Sequence, residues 1–342
     1  MSTSYDLGPP PLSFPRQFLK NLLASPPQPP RNLDLTGQTA IITGGYTGLG
    51  YQCATALLSY NLSYLIITVR NEKKGGDAAA ELGRRHPKAK IDVWLLDMLS
   101  YDSIKGFTTQ CNGLTRIDFV ILNAGTMSGE FMIDKSTKHE VTFQVNYLST
   151  ALLTFLLLPV LQRLKQATHG KPSRITLIGS SLAATANFPE HKAAKIIPAF
   201  DDPKYWSLAE RYNTTKLLLL MFIHNLKDHI SSDEVVVNVA DPGFVQNGGL
   251  DRSTPSFLKI IMVAARRLLA RSDKAGAWSY VDAAVVKPES THGSWMSNWA
   301  VHPFPKIMYS RDGKRAADML WEETIEELDG AGVRAILSSI GK

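Results

Sequence analysis

The sequence predicts an α/β protein with a doubly wound parallel sheet, the three-layer α/β/α arrangement of the Rossmann fold. Short apolar runs without polar alternation recur between helix-length segments, as at 39–43 and 235–239. Strands buried on both faces have this pattern, and their alternation with helices indicates a parallel sheet covered on both sides. A glycine-rich stretch directly follows the first run, and a strand–glycine turn–helix sequence binds phosphates in such folds.

Apolar length and spacing place the elements in order along the chain. Strands are predicted at 39–43, 64–69, 91–96, 119–123, 174–179 and 235–239, with a further strand-like piece at 294–299. Helices are predicted at 48–59, 76–86, 101–112 and 212–230, with two long helices around 141–164 and an acidic helix near 322–328.

The segments outside this alternation are treated separately. Residues 1–35 are a proline-rich N-terminal extension, in which 14–23 can form a short amphipathic helix that packs on the body. We expect 36–342 to be a single domain with a C-terminal extension at about 300–342. Residues 250–272 are apolar on one side and basic at the end, as in a substrate lid or a membrane-surface helix. A lid is favoured because an apolar helix beside a pocket needs no lipid to explain it.

Composition excludes several classes of function. The 342 residues are 44% apolar, and the net charge of +6 comes from no dense basic block, so nucleic acid is not an expected partner. The longest apolar run, 151–161, is too short to span a bilayer, and no secretory signal is visible. Cys53 and Cys111 allow no disulfide framework, and neither cysteines nor histidines have metal spacing. We therefore expect a cytoplasmic protein without a membrane span or a metal.

The glycine-rich stretch is the expected phosphate site. Gly44 permits the tight turn, Gly48 lets the backbone approach a pyrophosphate, and Gly50 lets the following helix pack close to the sheet. The free N–H groups and positive dipole of the helix start suit a phosphate. An ordinary glycine turn is the alternative interpretation. The predicted contact residues are Gly44, Tyr46, Thr47, Gly48, Leu49 and Gly50.

The residue at the end of the second strand indicates which nicotinamide cofactor, NAD(H) or NADP(H), the chain would bind. An NAD enzyme places an acid about 20 residues past the loop to hold the ribose 2′-hydroxyl. Here Arg70 ends the strand, and a guanidinium binds a 2′-phosphate with two hydrogen bonds. We therefore expect NADP(H) rather than NAD(H). The alternatives are that Glu72 reaches the ribose and that Arg70 is an ordinary surface charge.

Two further strand ends carry candidate cofactor contacts. Asp97, with Met98 beside it, closes the third strand, where an acid can contact the adenine or cap the next helix. Asn123, Ala124 and Gly125 close the fourth strand. The small residues there let a cofactor lie flat against the edge of the sheet.

Tyr212 and Lys216 stand four residues apart, so on a helix they share one face. An ammonium beside a phenol favours the phenolate, which lowers the tyrosine pKa and makes it a usable general acid or base. Asn146 lies in an apolar stretch and needs hydrogen-bond partners. Either it bonds locally, or it holds a water that links Lys216 to solvent.

Over about residues 37–250, these motifs in this order resemble those of the short-chain dehydrogenase/reductase family. The resemblance extends to the glycine loop, to Asp97 and to Asn123-Ala124-Gly125, and Arg70 falls where NADP-preferring members carry an arginine. It implies a catalytic tetrad of Asn146, Ser180, Tyr212 and Lys216, and a turn beside the nicotinamide made by Pro242, Gly243 and Val245. The rest of the chain is similar to fungal reductases of secondary-metabolite pathways and, more distantly, to retinol-dehydrogenase-like members.

Three departures from the family pattern concern the reacting end. Ser181 follows Ser180, so either could be the catalytic serine, and Ser180 is chosen because it follows strand 174–179 in the family's register. The stretch from this serine to the tyrosine is longer than the family's short form, so we expect an insert beside the substrate entrance. Asn247 stands near where the family usually has a threonine that bonds the carboxamide.

The resemblance implies an NADPH-dependent reductase of a ketone or aldehyde on an apolar small molecule, such as a polyketide- or terpenoid-like intermediate. The same residues would serve the reverse alcohol oxidation. Two alternatives belong to other classes: a non-catalytic NADP(H)-binding scaffold or sensor, against which the complete tetrad argues, and a fold repurposed for cyclisation or isomerisation. The apolar helices around 148–164 and 214–226 fit either a homodimer face or a buried position.

Overall fold

The computed structural model describes residues 3–246 and 269–340, so Asn247 and most of the predicted lid at 250–272 lie outside the described residues. One sheet has the order β3-β2-β1-β4-β5-β6-β7-β8, and all neighbouring strands are parallel except the last pair. Because the winding reverses between β1 and β4, the carboxyl ends of these strands form a switch point where ligands bind. The strands are β1 (Thr39–Thr43), β2 (Tyr64–Val69), β3 (Lys90–Leu95), β4 (Phe119–Leu122), β5 (Ser173–Ile178), β6 (Val235–Ala240), β7 (Trp295–Ser297) and β8 (Ala300–His302).

Helices cover both faces of the sheet. One buried cluster contains Leu57 of α2 with Ile42 of β1, and the other contains Phe107 of α4 with Ile41 of β1. Successive residues of β1 therefore point into different layers, and the predicted three-layer doubly wound fold is confirmed. The helices are α1 (Phe14–Leu22), α2 (Gly48–Ser59), α3 (Glu72–Arg85), α4 (Tyr101–Cys111), α5 (Val141–Phe143), α6 (Ser149–Leu164), α7 (Ile196–Phe200), α8 (Leu208–Leu226), α9 (Asp273–Val281), α10 (Arg311–Leu328) and α11 (Val333–Ile340).

The prediction of two long helices around 141–164 is wrong, because the structure has one continuous helical segment there. Helix α5 passes through a π turn at Gln144–Leu148 into α6, with right-handed helical backbone at both junctions. Such turns are frequent at functional sites, and this one contains Asn146. The segment Val141–Thr168 is long and apolar enough to cross a membrane. However, 89% of its 18-residue apolar stretch is buried inside the protein, as in a core helix.

The sheet ends in a hairpin that the sequence prediction did not resolve. The strand-like piece predicted at 294–299 contains β7, and a turn leads from it into the antiparallel β8. The turn residues Asn298 and Trp299 have φ values of 50° and 59°, the left-handed pair that two-residue hairpin turns use. Because β7 runs parallel to β6, this turn lies at the same sheet edge as the carboxyl end of β6.

The C-terminal helices cover the two apolar helices that the sequence offered as a homodimer face. Helix α11 packs against α6, and α10 packs against α8. The ring of Trp321 on α10 lies 5.7 Å from Phe155 and 5.9 Å from Phe222, measured between ring centres. The apolar side chains of α6 and α8 are therefore buried within one chain, which supports the buried-helix interpretation.

The N-terminal extension is tied to the body at both of its described ends. Ser4 is fully buried, and Trp295 N donates to its Oγ at 2.8 Å. Helix α1, predicted at 14–23, lies against the turn at Ser181–Thr185. Leu35 N donates to Tyr60 O at 2.7 Å just before β1. The extension thus passes over the carboxyl edge of the sheet before the first strand begins.

Candidate active site

The glycine-rich loop joins β1 to α2 at the switch point. Gly44 and Gly48 have φ values of +64° and +55°, a region in which residues with a Cβ are strained. Thr47 precedes α2 in extended conformation and gives it no side-chain cap. A Cβ on Gly48 would meet nothing within 4 Å. The helix start is therefore open and suits a phosphate, while the neighbouring Tyr46 and Leu49 are half-buried.

Gly50 and Asn123 bring the loop and the end of β4 into close contact. A Cβ on Gly50 would lie 2.6 Å from Asn123 Nδ2 and 2.7 Å from Gly44 O, so only glycine fits. Asn123 Nδ2 donates to Thr43 O at 2.9 Å, and Ala124 N donates to Thr43 Oγ1 at 2.8 Å. These bonds fix the carboxyl ends of β1 and β4 beside each other.

Arg70 stands at the end of β2 beside this loop. Its side chain is exposed, and within the part of the chain that the structure describes it has no ion-pair or hydrogen-bond partner. Gly44 N donates to Thr68 O at 3.1 Å, which links the loop to β2 two residues before Arg70. Glu72 opens α3, whose cap is Asn71. The Arg70 guanidinium therefore lies next to the glycine loop, whereas the Glu72 carboxylate is part of the first turn of α3.

Asp97 forms a turn after β3 and does not cap a helix. Its Oδ1 accepts a hydrogen bond from Leu99 N at 3.0 Å, whereas the cap of α4 is Ser100, whose Oγ accepts from Ser103 N at 3.1 Å. The alternative that Asp97 caps the helix is therefore wrong. Met98 is buried and its side chain belongs to the core, so it could meet a cofactor only through its backbone.

Helix α8 places Tyr212 and Lys216 on one buried face beside the ends of β4 and β5. Lys216 Nζ donates to Ile178 O at 2.8 Å and lies 5.6 Å from the centre of the Tyr212 ring. A Cβ on Gly125 would lie 3.8 Å from Lys216 Nζ and 3.3 Å from Asn146 Oδ1. The structure thus brings these four predicted residues into one small volume.

Burial dominates the ionisation of both groups on α8. It lowers the pKa of Lys216 to about 8. Burial, reinforced by the negative charge of Asp241, raises the pKa of Tyr212 well above its ordinary value, and a hydrogen bond with Ser180 opposes this shift. The expected lowering of the tyrosine pKa by Lys216 is therefore not seen in this geometry, where lost hydration dominates. Tyr212 is protonated near neutral pH, the state that a proton donor needs.

Asn146 bonds locally, which was one of its two alternatives. Its Oδ1 accepts from Thr126 N at 2.8 Å, and its Nδ2 donates to Thr126 O at 2.9 Å and to Thr215 Oγ1 at 3.1 Å. The amide thereby joins the segment after β4 to α8. Asn146 holds the backbone beside Gly125 in place against the helix that carries Tyr212.

Ser180 and Ser181 face different surroundings. Ser180 Oγ accepts from Leu182 N at 3.2 Å, and Ser180 lies near enough to Tyr212 to oppose the rise in the pKa of that phenol. Ser181 lines a cavity on the side of α1. The structure therefore places Ser180, the serine chosen from the sequence, against the tyrosine.

The chain turns sharply after β6 at Pro242 and Gly243. Gly243 has a φ of +72°, and its N donates to Asp241 Oδ1 at 2.9 Å, so Asp241 forms the turn. Val245 is buried, and its Cγ1 would lie 2.5 Å from a Cβ on Gly276 of α9. Val245 therefore packs this turn against α9, at the sheet edge that also holds the loop and the tyrosine.

Arg271 is part of this edge and was missed by the sequence analysis. Its Nη2 donates to Asn298 Oδ1 at 2.7 Å and to Asn21 O at 3.0 Å, and its guanidinium lies 4.6 Å from the centre of the Trp299 ring. These partners are 27 or more residues away in sequence. No local pattern could therefore have indicated that Arg271 joins α1 to the hairpin.

A buried ion cluster beside Tyr212 was also missed. Arg211 is 1% exposed, and its guanidinium lies 3.2 Å from Glu190 Oε1 and 3.5 Å from Glu140 Oε2. Both carboxylates are fully buried, and the guanidinium also lies 4.5 Å from the centre of the Phe200 ring. The cluster joins the insert between Ser180 and Tyr212, which carries Glu190, to Glu140 at the start of α5. The sequence offered only the position of Arg211 directly before Tyr212.

His139 gives this region a pH-dependent contact. Its Nδ1 lies 2.8 Å from Asp201 and its Nε2 3.0 Å from Glu327. Burial opposes the imidazolium, but the two carboxylates outweigh it and raise the pKa of His139 to about 9.

Because the folded pKa of His139 lies above the unfolded value, its stabilising effect is complete below about pH 6.5 and is lost as pH rises through about 9. We expect the free energy of unfolding of the wild type to fall over this window by on the order of 2 kcal/mol more than that of His139→Gln. Urea titrations of both proteins from pH 6 to 9.5 measure the difference. Parallel curves would contradict the assignment.

A doubly wound sheet with a phosphate loop at its switch point and a serine, tyrosine and lysine at the same edge defines a dinucleotide-dependent oxidoreductase. A family model described as short chain dehydrogenase matches residues 38–196. The chain is 45% identical over 329 residues to the short chain dehydrogenase/reductase mfmJ of Annulohypoxylon moriforme, covering 96% of this chain and 95% of that one. It is 38% identical over 323 residues to the short chain dehydrogenase virL of Hypocrea virens, covering 94% of each. The protein belongs to the short-chain dehydrogenase/reductase family.

Solved structures show the same fold at low identity. A short-chain type dehydrogenase/reductase from Mycobacterium ulcerans has a TM-score of 0.58 at 16% identity, with 84% of this chain and 98% of that chain covered. The RhlG/NADP active-site complex from Pseudomonas aeruginosa has a TM-score of 0.55 at 20% identity, with 81% and 98% covered. Membership of the family implies a nicotinamide dinucleotide as cofactor and a small molecule as substrate.

Proposed function

We propose that the protein is an NADPH-dependent reductase of a ketone or aldehyde carried on a largely apolar small molecule. The observation that carries the proposal is the buried Tyr212 phenol, which lies near Ser180 and beside Lys216 at the sheet edge of the glycine loop. A protonated donor with a hydroxyl partner suits a carbonyl oxygen that gains charge during reduction. The resemblance to fungal reductases supports a polyketide- or terpenoid-like intermediate as substrate.

Each residue of the site has a separate part in this chemistry. When bound, the nicotinamide supplies a hydride to the carbonyl carbon. Tyr212 Oη gives its proton to the carbonyl oxygen, and Ser180 Oγ stabilises the charge that develops there. The Lys216 ammonium favours the phenolate that remains. Asn146 positions the backbone beside Gly125 through its bonds with Thr126 and Thr215.

The preference for NADPH rests on Arg70. A guanidinium without a partner among the described residues, placed beside the glycine loop, suits the ribose 2′-phosphate. Glu72 lies in the first turn of α3, where a carboxylate is favoured by the helix dipole. The helix start therefore explains the position of Glu72, and a contact with the cofactor ribose is not required to explain it.

We expect Arg70→Asp to weaken NADPH binding by about 2 kcal/mol or more, roughly thirty-fold, because a charge-assisted pair is replaced by repulsion. Binding of NADH should change little. Fluorescence titration with each cofactor measures both constants. Arg84→Asp is the matched control, because Arg84 is exposed in the last turn of α3, whereas Arg70 lies just before the first turn of that helix. An unchanged NADPH affinity in Arg70→Asp would remove the basis for this preference.

The reductase proposal is tested by a screen of NADPH oxidation over a panel of cyclic and aromatic ketones and aldehydes. We expect consumption of NADPH in step with formation of the alcohol. Substrate conversion that proceeds equally without NADPH would instead indicate a cyclase or isomerase. Tight NADPH binding without turnover of any carbonyl compound would indicate a binding protein.

A further inference from the structure

We propose that the cavity between α1 and the turn after β5 receives the apolar part of the carbonyl substrate, and that α1 is the specificity-determining wall of the substrate site. This N-terminal cavity has a volume of about 370 Å³. It lies between α1, the turn at 181–186 and the segment at 302–307, and its lining includes Phe14, Gln17, Phe18, Ser181, Trp295 and His302. Small-molecule sites are about 300–1,000 Å³, so the cavity has room for a ring system.

The position of the cavity connects it to the reacting groups. Ser181 lines it and directly follows Ser180, which lies near Tyr212. Trp295 lines it from β7, and its Nε1 lies 3.9 Å from where a Cβ on Gly179 would stand, at the end of β5. The cavity therefore lies at the carboxyl edge of the sheet, where the chain continues from the reacting serine into the cavity wall.

The lining indicates the class of molecule that fits. Phe14 and Phe18 of α1 line the cavity together with Phe304 and Ile307. With these side chains in its lining, the cavity suits an apolar ring skeleton.

Helix α1 is held in place by tertiary contacts. It has nine residues and no side-chain N-cap, so it is too short to be stable alone. Arg271 Nη2 donates to Asn21 O at the end of the helix, and the Phe18 ring lies 5.9 Å from that of Phe244 in an edge contact. Tertiary contacts therefore hold α1 in place, and deleting this helix would remove one wall of the cavity.

This inference rests on the proposed reductase function, which supplies Ser180 and Tyr212 as the reacting end. Introduced thiols test it independently of turnover. Cys53 and Cys111 are both buried, so a new cysteine is the reactive thiol of the described residues. Gln17→Cys and Ala184→Cys place a thiol on two different parts of the cavity lining, α1 and the turn after β5. Leu19→Cys is the matched control, because Leu19 is 60% exposed on the same helix and does not line the cavity.

With NADPH replaced by the unreactive NADP⁺, we expect 2-tetralone or 2-decalone to slow alkylation of both cavity cysteines by N-ethylmaleimide about five-fold or more. The Leu19→Cys control should react at an unchanged rate. After alkylation with N-cyclohexylmaleimide, the cavity variants should show a KM for 2-tetralone raised about ten-fold, with unchanged NADPH affinity. Protection without ketone turnover would support the cavity and overturn the reductase proposal. Turnover with no protection and an unchanged KM would overturn the cavity.

Discussion

Replacing Tyr212 by phenylalanine should lower ketone turnover about a hundredfold or more, while the fold and NADPH affinity stay unchanged. The substitution removes only the hydroxyl, which is the proton donor in the proposed reaction. The ring is 8% exposed and packs in the site, so its volume is retained. Steady-state kinetics with a ketone from the screen and a fluorescence titration with NADPH measure the two effects separately.

Two serine variants serve as controls for this experiment. Ser180→Ala should lower turnover by roughly a hundredfold to a thousandfold, the scale of one lost donor to a developing charge. Ser181→Ala should leave kcat nearly unchanged and alter at most KM, because Ser181 lines the cavity proposed for the apolar part of the substrate and not the reacting end. Wild-type turnover in Tyr212→Phe would place the proton donor elsewhere. Equal losses in both serine variants would contradict the assignment of Ser180.

The parts of the fold that the sequence predicted well are those fixed by local apolar pattern. Strand β1 was expected at 39–43 and is found at Thr39–Thr43, all five residues buried. The start of α3 was placed four residues too late, at 76 instead of Glu72, so that Gly75 falls inside the helix. Gly75 is there for packing, since a Cβ would lie 2.6 Å from Val93 Cγ1.

The candidate site could be predicted where residue type and spacing carry the chemistry. The glycines, Tyr212 and Lys216 were found in this way, and the structure brings them to one sheet edge. The contribution of α1 could not be found, because its contacts reach far along the chain. Asn21 of α1 and its partner Arg271, for example, are 250 residues apart. The reversed expectation for the Tyr212 pKa has a similar cause, since burial depends on the whole fold.

The buried cluster around Arg211 leads to the largest expected effect on stability. Arg211→Met leaves Glu140 and Glu190, both fully buried, without their counter-charge. Removing one member of a buried ion pair costs about 3–5 kcal/mol. We therefore expect the free energy of unfolding in urea at pH 8 to fall by that amount. Arg163→Met, which changes an exposed arginine on α6, should cost little.

The pH dependence of the stability loss in Arg211→Met tests whether the Glu190 carboxylate causes it. Burial raises the pKa of Glu190 to about 7 even with Arg211 beside it. Because its folded pKa exceeds the unfolded value, the contribution of Glu190 is most favourable below about pH 4.5 and is lost as pH rises through about 7. The deficit of Arg211→Met should therefore be smaller at pH 5.5 than at pH 8. The double variant Arg211→Met with Glu190→Gln should recover part of the loss, since it removes one of the two charges left without a partner. A deficit that is the same at both pH values and persists in the double variant would mean that packing against Phe200, and not charge, is what Arg211 supplies.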